Sequence, residues 1–178
     1  MSTERHDPAE AIRSAVERVR TAMGRMRSVG RGTARTRARI ENGLTCRVED
    51  GQWSFTADMP EKVGGASAGP DPGVYGRAAL ASCLGIGYSI WAAHRGVPIT
   101  SLEVEVEADY DARAEYGMGD GSPGYEEIRW IVRIESPASR EAVLEVLETA
   151  EARSPWLTVF RGPQELRRSV ELNRGEEA

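Results

Sequence analysis

The segment Gly76–Gly96, GRAALASCLGIGYSIWAAHRG, restricts the fold more than any other part of the chain. It reads as one helix over roughly Val74–His94, ended by Gly96 and Pro98. Gly76, Ala79, Gly85 and Gly87 leave its backbone uncovered, and each glycine costs a helix on the order of 1 kcal/mol relative to alanine. Close packing of helix on helix or helix on sheet is the simplest compensation. The segment is therefore expected to be a central buried helix, and two such helices crossing in a dimer fit the pattern better still.

The flanking segments read as strands. Upstream, Ala34–Ile40, Leu44–Val48 and Trp53–Ala57 form an antiparallel meander, with an Asn42-Gly43 hairpin signal and a tight turn at Glu49–Gln52. Pro60–Gly73 is a glycine- and proline-rich loop. Downstream, Thr100–Asp111 alternates Leu102, Val104 and Val106 with Glu103, Glu105 and Glu107, so one face is buried and the other wet. After a polar loop, Tyr125–Glu135 turns Ile128, Trp130, Val132 and Ile134 inward. A helix over about Ser139–Arg153, a short helical turn at Trp156–Phe160 and a final edge strand at Arg167–Leu172 complete the pattern. Strands arrive in hairpin runs rather than in alternating βαβ units, which makes the class α+β.

Ahead of this lies an amphipathic helix over residues 7–28, with Asp7 as N-cap, Pro8 at the first position and Glu10 at the third. Residues 1–32 are read as an N-terminal helical arm and 33–178 as the main domain. Residues 1–40 hold ten Arg against four Asp/Glu, leaving 13 Lys+Arg against 24 Asp/Glu for the rest. The simplest use of a basic arm is to lie on the acidic body, its own or a partner subunit's; the row Glu103, Glu105, Glu107 and Asp109 is most simply a solvated strand face and could equally receive the arm. No aromatic residue is interleaved with the arm's arginines, so nucleic acid is not the expected partner. No apolar run reaches the ~20 residues that span a bilayer. With no secretion signal and two cysteines in 178 residues, the expected setting is a reducing cytoplasm. Two isolated histidines give no metal spacing, and neither metal nor cofactor is expected. His6 lies in a terminal tail, and His94, near a helix end, is expected to cap carbonyls.

Cys83 sits in the middle of the small-residue helix. A reactive cysteine needs its thiolate, and the thiolate needs positive charge or a helix N-terminus nearby. Cys83 is too deep in its helix for the dipole to act, and its neighbours one turn away are Ala79, Leu80, Ile86 and Gly87. On these residues alone it behaves as a small hydrophobe, and any activation must come from another segment or another subunit.

The stretch GGASAGPDPGVYGRAALASC, followed by the small-residue helix and then VPITSLEVEVEADYD, resembles the OsmC/Ohr family over about residues 34–172. In that family a proline-containing turn precedes an alanine-rich helix whose cysteine falls eleven residues after the proline, the spacing of Pro72 and Cys83. The resemblance implies antiparallel sheets wrapped around central helices in an intertwined homodimer, with active sites at the interface. It also implies thiol-dependent reduction of organic hydroperoxides, with Cys83 as the peroxidatic cysteine, oxidised to sulfenic acid and then resolved by a second thiol.

Three further elements of the family pattern are displaced. The glutamate expected after Pro72 is replaced by Gly73 and Val74. The activating arginine expected on the early strands has only Arg39 as a substitute. The resolving Cys-Pro pair after the second long helix is here Ser154-Pro155, leaving Cys46 as the only other thiol. Two readings stay open. One is a hydroperoxide reductase with one working cysteine, served by an external thiol reductant or by Cys46. The other is a scaffold that has lost the reaction and binds a small apolar ligand in the dimer cleft, lined by Tyr75, Tyr88 and Trp156.

Overall fold

The computed structural model describes residues 7–172; His6 lies outside them. Helix α1, Pro8–Arg25, opens with the Asp7 carboxylate accepting the Ala9 N–H at 3.0 Å. Strands β1 (Thr36–Asn42), β2 (Thr45–Asp50) and β3 (Trp53–Ala57) form an antiparallel sheet in that order. Its first hairpin turns at Asn42-Gly43, where Gly43 has φ 57°. Helix α2, Pro72–Arg95, is followed by an antiparallel pair, β4 (Ser101–Tyr110) and β5 (Tyr125–Glu135), then α3 (Arg140–Glu151) and α4 (Pro155–Arg161). The α+β class follows the hairpin pattern of the sequence.

Helix α2 organises the core. The Asp71 side chain caps it by accepting the Val74 N–H at 3.0 Å, and Pro72 fills the first turn where no N–H is needed. Gly96, with φ 68°, ends it in the left-handed conformation. Leu80, Leu84 and Tyr88 recur at the four-residue helical interval and are fully buried. They pack with Ala150 and Leu157 from α3 and α4, and against Leu102, Val104, Val106, Ile128, Trp130 and Val132 of the β4–β5 pair. Burying each leucine contributes about 1.5–3 kcal/mol. The inward faces of β4 and β5 are those that the alternation predicts.

Helix α1 packs along α2. His94 Nδ1, near the end of α2, lies 3.9 Å from Glu17 of α1 and has no hydrogen-bond partner among the described residues. His94 is therefore not the carbonyl cap expected; Gly96 takes that role. Within the chain the acidic row is paired with β5 rather than with the arm, Arg129 reaching Glu107 and Asp109 across the ladder, and Arg133 reaching Glu103 and Glu105. Neighbouring strands on one face offer a nearer cation than a distant helix.

Two further expectations fail. Arg167–Leu172 forms no strand: Leu166, Val170 and Leu172 are all exposed, and among the described residues no strand pairs with this segment. Nor do Gly76, Gly85 and Gly87 meet a close neighbour inside one chain. A Cβ at Gly76 would meet nothing within 4 Å, and at Gly85 or Gly87 only ordinary contacts of 3.7 and 3.8 Å.

Candidate functional site

Cys83 and Ser154, 71 residues apart, are brought together by the packing of α2 against the α3–α4 junction. The Cys83 Sγ lies 3.4 Å from the Ser154 Oγ, a distance that makes either atom the donor. Ser154 is only 5% exposed, whereas Cys83 is half-buried and within reach of solvent. Local chemistry fixes the serine. It is the N-cap of α4, ahead of Pro155 at the first helical position, and its Oγ accepts the Leu157 N–H at 3.2 Å. Its backbone N–H donates to the Glu151 carbonyl, and its own carbonyl accepts from Thr158. Among the described residues, Ser154 Oγ is the single hydrogen-bonding contact of Cys83 Sγ.

The remaining candidates lie elsewhere. Cys46, on β2, is a free thiol whose Sγ approaches the Arg47 carbonyl at 3.9 Å. Arg39 is on β1, a strand exposed along its whole length, opposite Arg47, and it forms no ion pair among the described residues. Tyr75 is spoken for: its hydroxyl donates to the Thr56 carbonyl at 2.6 Å and its ring meets Phe55 at 4.8 Å between centroids. Tyr88 is a core residue, fully buried, its hydroxyl donating to Glu151 Oε1 at 2.9 Å. Burial holds the Tyr88 phenol well above its usual range, and the hydrogen bond and charge of Glu151 add to this against the opposing effects of Trp130 and Arg161. Trp156 is exposed on α4, 6.3 Å from the Phe160 ring. Of the three aromatics, Trp156 is exposed, Tyr75 half-buried and Tyr88 fully buried.

An open groove of about 570 Å³ lies on another side of α2, lined by Ile12 of α1, by Ala81, Gly85, Ile86 and Ile90, and by Val104 of β4. Ile86 is 62% exposed there. Among the described residues no group of three or more His, Cys, Asp or Glu is placed to hold a metal ion, and no helix is long and apolar enough to cross a membrane.

Sequence reasoning missed Asp58, at the end of β3 and 2% exposed. Its carboxylate accepts from the Met59, Ala66 and Ala68 N–H groups and the Thr45 hydroxyl at 2.7–3.1 Å. Burial pushes this carboxyl up, but the hydrogen bonds from Ala68, Met59, Thr45 and Ala66 outweigh it and leave it below its usual range. The knot folds the glycine-rich loop back on β3 and so sets where α2 begins. The glycines make it feasible: a Cβ at Gly69 would sit 2.3 Å from the Thr56 carbonyl oxygen. The available signal was a lone Asp closing an apolar strand just before a loop whose N–H groups need acceptors.

The family model for OsmC-like proteins matches residues 64–167, which run from the glycine-rich loop through α4. The chain belongs to the OsmC-like protein family. Solved structures of OsmC-like proteins share its fold. An OsmC-like protein from Mycoplasma pneumoniae superposes with a TM-score of 0.64 at 20% identity, covering 74% of this chain and 89% of that one. An organic hydroperoxide resistance protein from Legionella pneumophila gives 0.56 at 17% identity, covering 74% and 90%. The organic hydroperoxide resistance protein OhrB of Bacillus subtilis gives 0.50 at 22% identity, covering 74% and 92%. No curated protein matches the chain.

Proposed function

We propose that this OsmC-like protein reduces organic hydroperoxides through Cys83, with an external thiol as reductant. The observation that carries the reading is the position of Cys83 in the α2 of an OsmC-like domain, half-buried and hydrogen-bonded at 3.4 Å to the Ser154 hydroxyl. In the first step the Cys83 thiolate attacks the outer peroxide oxygen. The O–O bond breaks, an S–O bond forms, and the departing alkoxide takes a proton to become an alcohol; sulfur loses two electrons to give sulfenic acid. A serine at residue 154 cannot resolve that product as a disulfide. An external thiolate then attacks the sulfenic sulfur, expels hydroxide and forms a mixed disulfide. A second external thiol displaces Cys83 and leaves as the reductant's disulfide.

The same reading takes the working unit to be two copies of the chain. The support is what one chain leaves unexplained: Gly76, Gly85 and Gly87 in α2, which no described intrachain neighbour requires, Ile86 exposed on that helix, and a β1 exposed from end to end with Ile40 uncovered. Arg39 on that strand is then available to a thiol of the second copy, as a cation that activation calls for. The test is consumption of cumene hydroperoxide with dithiothreitol by wild type and Cys83→Ser. Loss of turnover in the variant is the expected result; equal rates overturn the reading.

The alternative, a scaffold binding a small apolar ligand, finds less support in Tyr75, Tyr88 and Trp156, two of which are engaged within the chain. The groove lined by Ile12, Ile86 and Ile90 is the surface that favours it. An inert thiol together with saturable uptake of a fluorescent fatty acid selects that alternative.

A further inference from the structure

We propose that the Ser154 hydroxyl donates its hydrogen bond to the Cys83 sulfur as that sulfur attacks, so that a residue standing where the resemblance places a resolving thiol acts on the first step of the reaction. The proposal rests on the peroxidase reading and deepens it.

Hydrogen-bond accounting around Ser154 leads there. Its backbone N–H is taken by Glu151 and its carbonyl by Thr158. One lone pair of the Oγ accepts the Leu157 N–H at 3.2 Å. What remains is the hydroxyl proton, on a side chain 5% exposed, and the sulfur at 3.4 Å is the acceptor in reach among the described residues. An N–H donated into a hydroxyl oxygen polarises its O–H and strengthens the bond that it donates. A donor aimed at sulfur favours the anion over the thiol, because a hydrogen bond to an ionised acceptor is roughly twice as strong as a neutral one.

Several charged residues on α2, α3 and α4 have partners of their own: Arg77 donates to the Tyr125 hydroxyl at 3.2 Å, Arg95 pairs with Glu145, Glu151 is held by Tyr88, the Arg153 guanidinium lies over the Trp91 ring at 5.0 Å, and that of Arg161 lies over Trp130 at 6.0 Å. Among the described residues, the Ser154 hydroxyl is the group with a hydrogen-bonding contact to the Cys83 sulfur.

The experiment follows the rate of iodoacetamide alkylation of Cys83 against pH in wild type, Ser154→Ala, Ser154→Gly and Ser154→Thr, each with Cys46→Ser as common background. Glycine removes the hydroxyl but is itself a tolerable N-cap, so it guards against an alanine variant that fails to fold. Loss of the donor is expected to lower the alkylation rate at neutral pH about tenfold while leaving the high-pH plateau in place, and threonine should restore the neutral-pH rate. Overlapping profiles for Ser154→Gly and wild type overturn the proposal, as does a shift that threonine does not reverse. Cumene hydroperoxide consumption, read in parallel on the wild type, separates the two claims. A shifted profile with no peroxide consumed removes the peroxidase reading and keeps the assignment of Ser154. Consumption with unshifted profiles does the reverse.

Discussion

Replacing Tyr88 by phenylalanine tests whether the centre of α2 is packed core or the wall of a binding cleft. Tyr88 is fully buried, and its hydroxyl donates to Glu151 Oε1 at 2.9 Å. Phenylalanine fills the same ring volume, so no cavity opens and the loss is the hydrogen bond alone. A hydrogen bond to a charged group contributes about 1.5–3 kcal/mol. Glu151 is partly exposed and can take water in exchange, which points to the lower end, about 1.5 kcal/mol. For a protein of this length that is a fall of about 3–6 °C in Tm. The pH dependence carries a sign of its own. Tyr88 is held above its usual range in the folded protein, chiefly by burial and then by Glu151. The neutral phenol's stabilisation is therefore complete below about pH 10 and lost as pH rises beyond it. The variant should show a flatter alkaline limb than wild type. Thermal melts by circular dichroism between neutral and alkaline pH read both quantities. An unchanged Tm with an unchanged alkaline limb would refute the core assignment of Tyr88.

Three other outcomes are expected. Ser154→Cys places a second thiol beside Cys83, and one equivalent of hydroperoxide should join the introduced thiol to Cys83 as a disulfide, read by peptide mapping under non-reducing conditions; a protein that stays fully reduced contradicts the proximity of the two side chains. Asp58→Asn should make stability less sensitive to acid. The folded Asp58 carboxyl titrates below its usual range, so its contribution is present above about pH 4 and fades as pH falls through the folded value; urea midpoints at neutral pH and well below about pH 4 should lie closer together for the variant than for wild type. Ile86→Glu puts a charge on the exposed face of α2 and should shift sedimentation velocity from two chains to one; a wild type that sediments as one chain removes the dimer.

The parts of the fold that were legible in the sequence are those where one residue's environment is set locally. Asp71-Pro72 and Gly96 bracket α2, and the alternation from Leu102 to Val106 faces the core as it must when one side of a strand is wet. Arg167–Leu172 misled because its apolar residues have no sheet to join. Tyr88 read as a cleft residue because an aromatic in a small-residue helix does not announce that Glu151, 63 residues later, takes its hydroxyl. Ser154 could be named only through the resemblance. Its approach to Cys83 depends on how α3 packs on α2, which no local pattern contains. Asp58 went unread for the same reason, since its donors come from backbone on both sides of a loop.

The most direct measurement of the central claim is the fate of the Cys83 sulfur. Protein treated with one equivalent of cumene hydroperoxide in the presence of dimedone, then digested and analysed by mass spectrometry, should carry the adduct on the peptide containing Cys83. An unmodified Cys83 beside consumed peroxide, or an adduct confined to Cys46, would contradict the account.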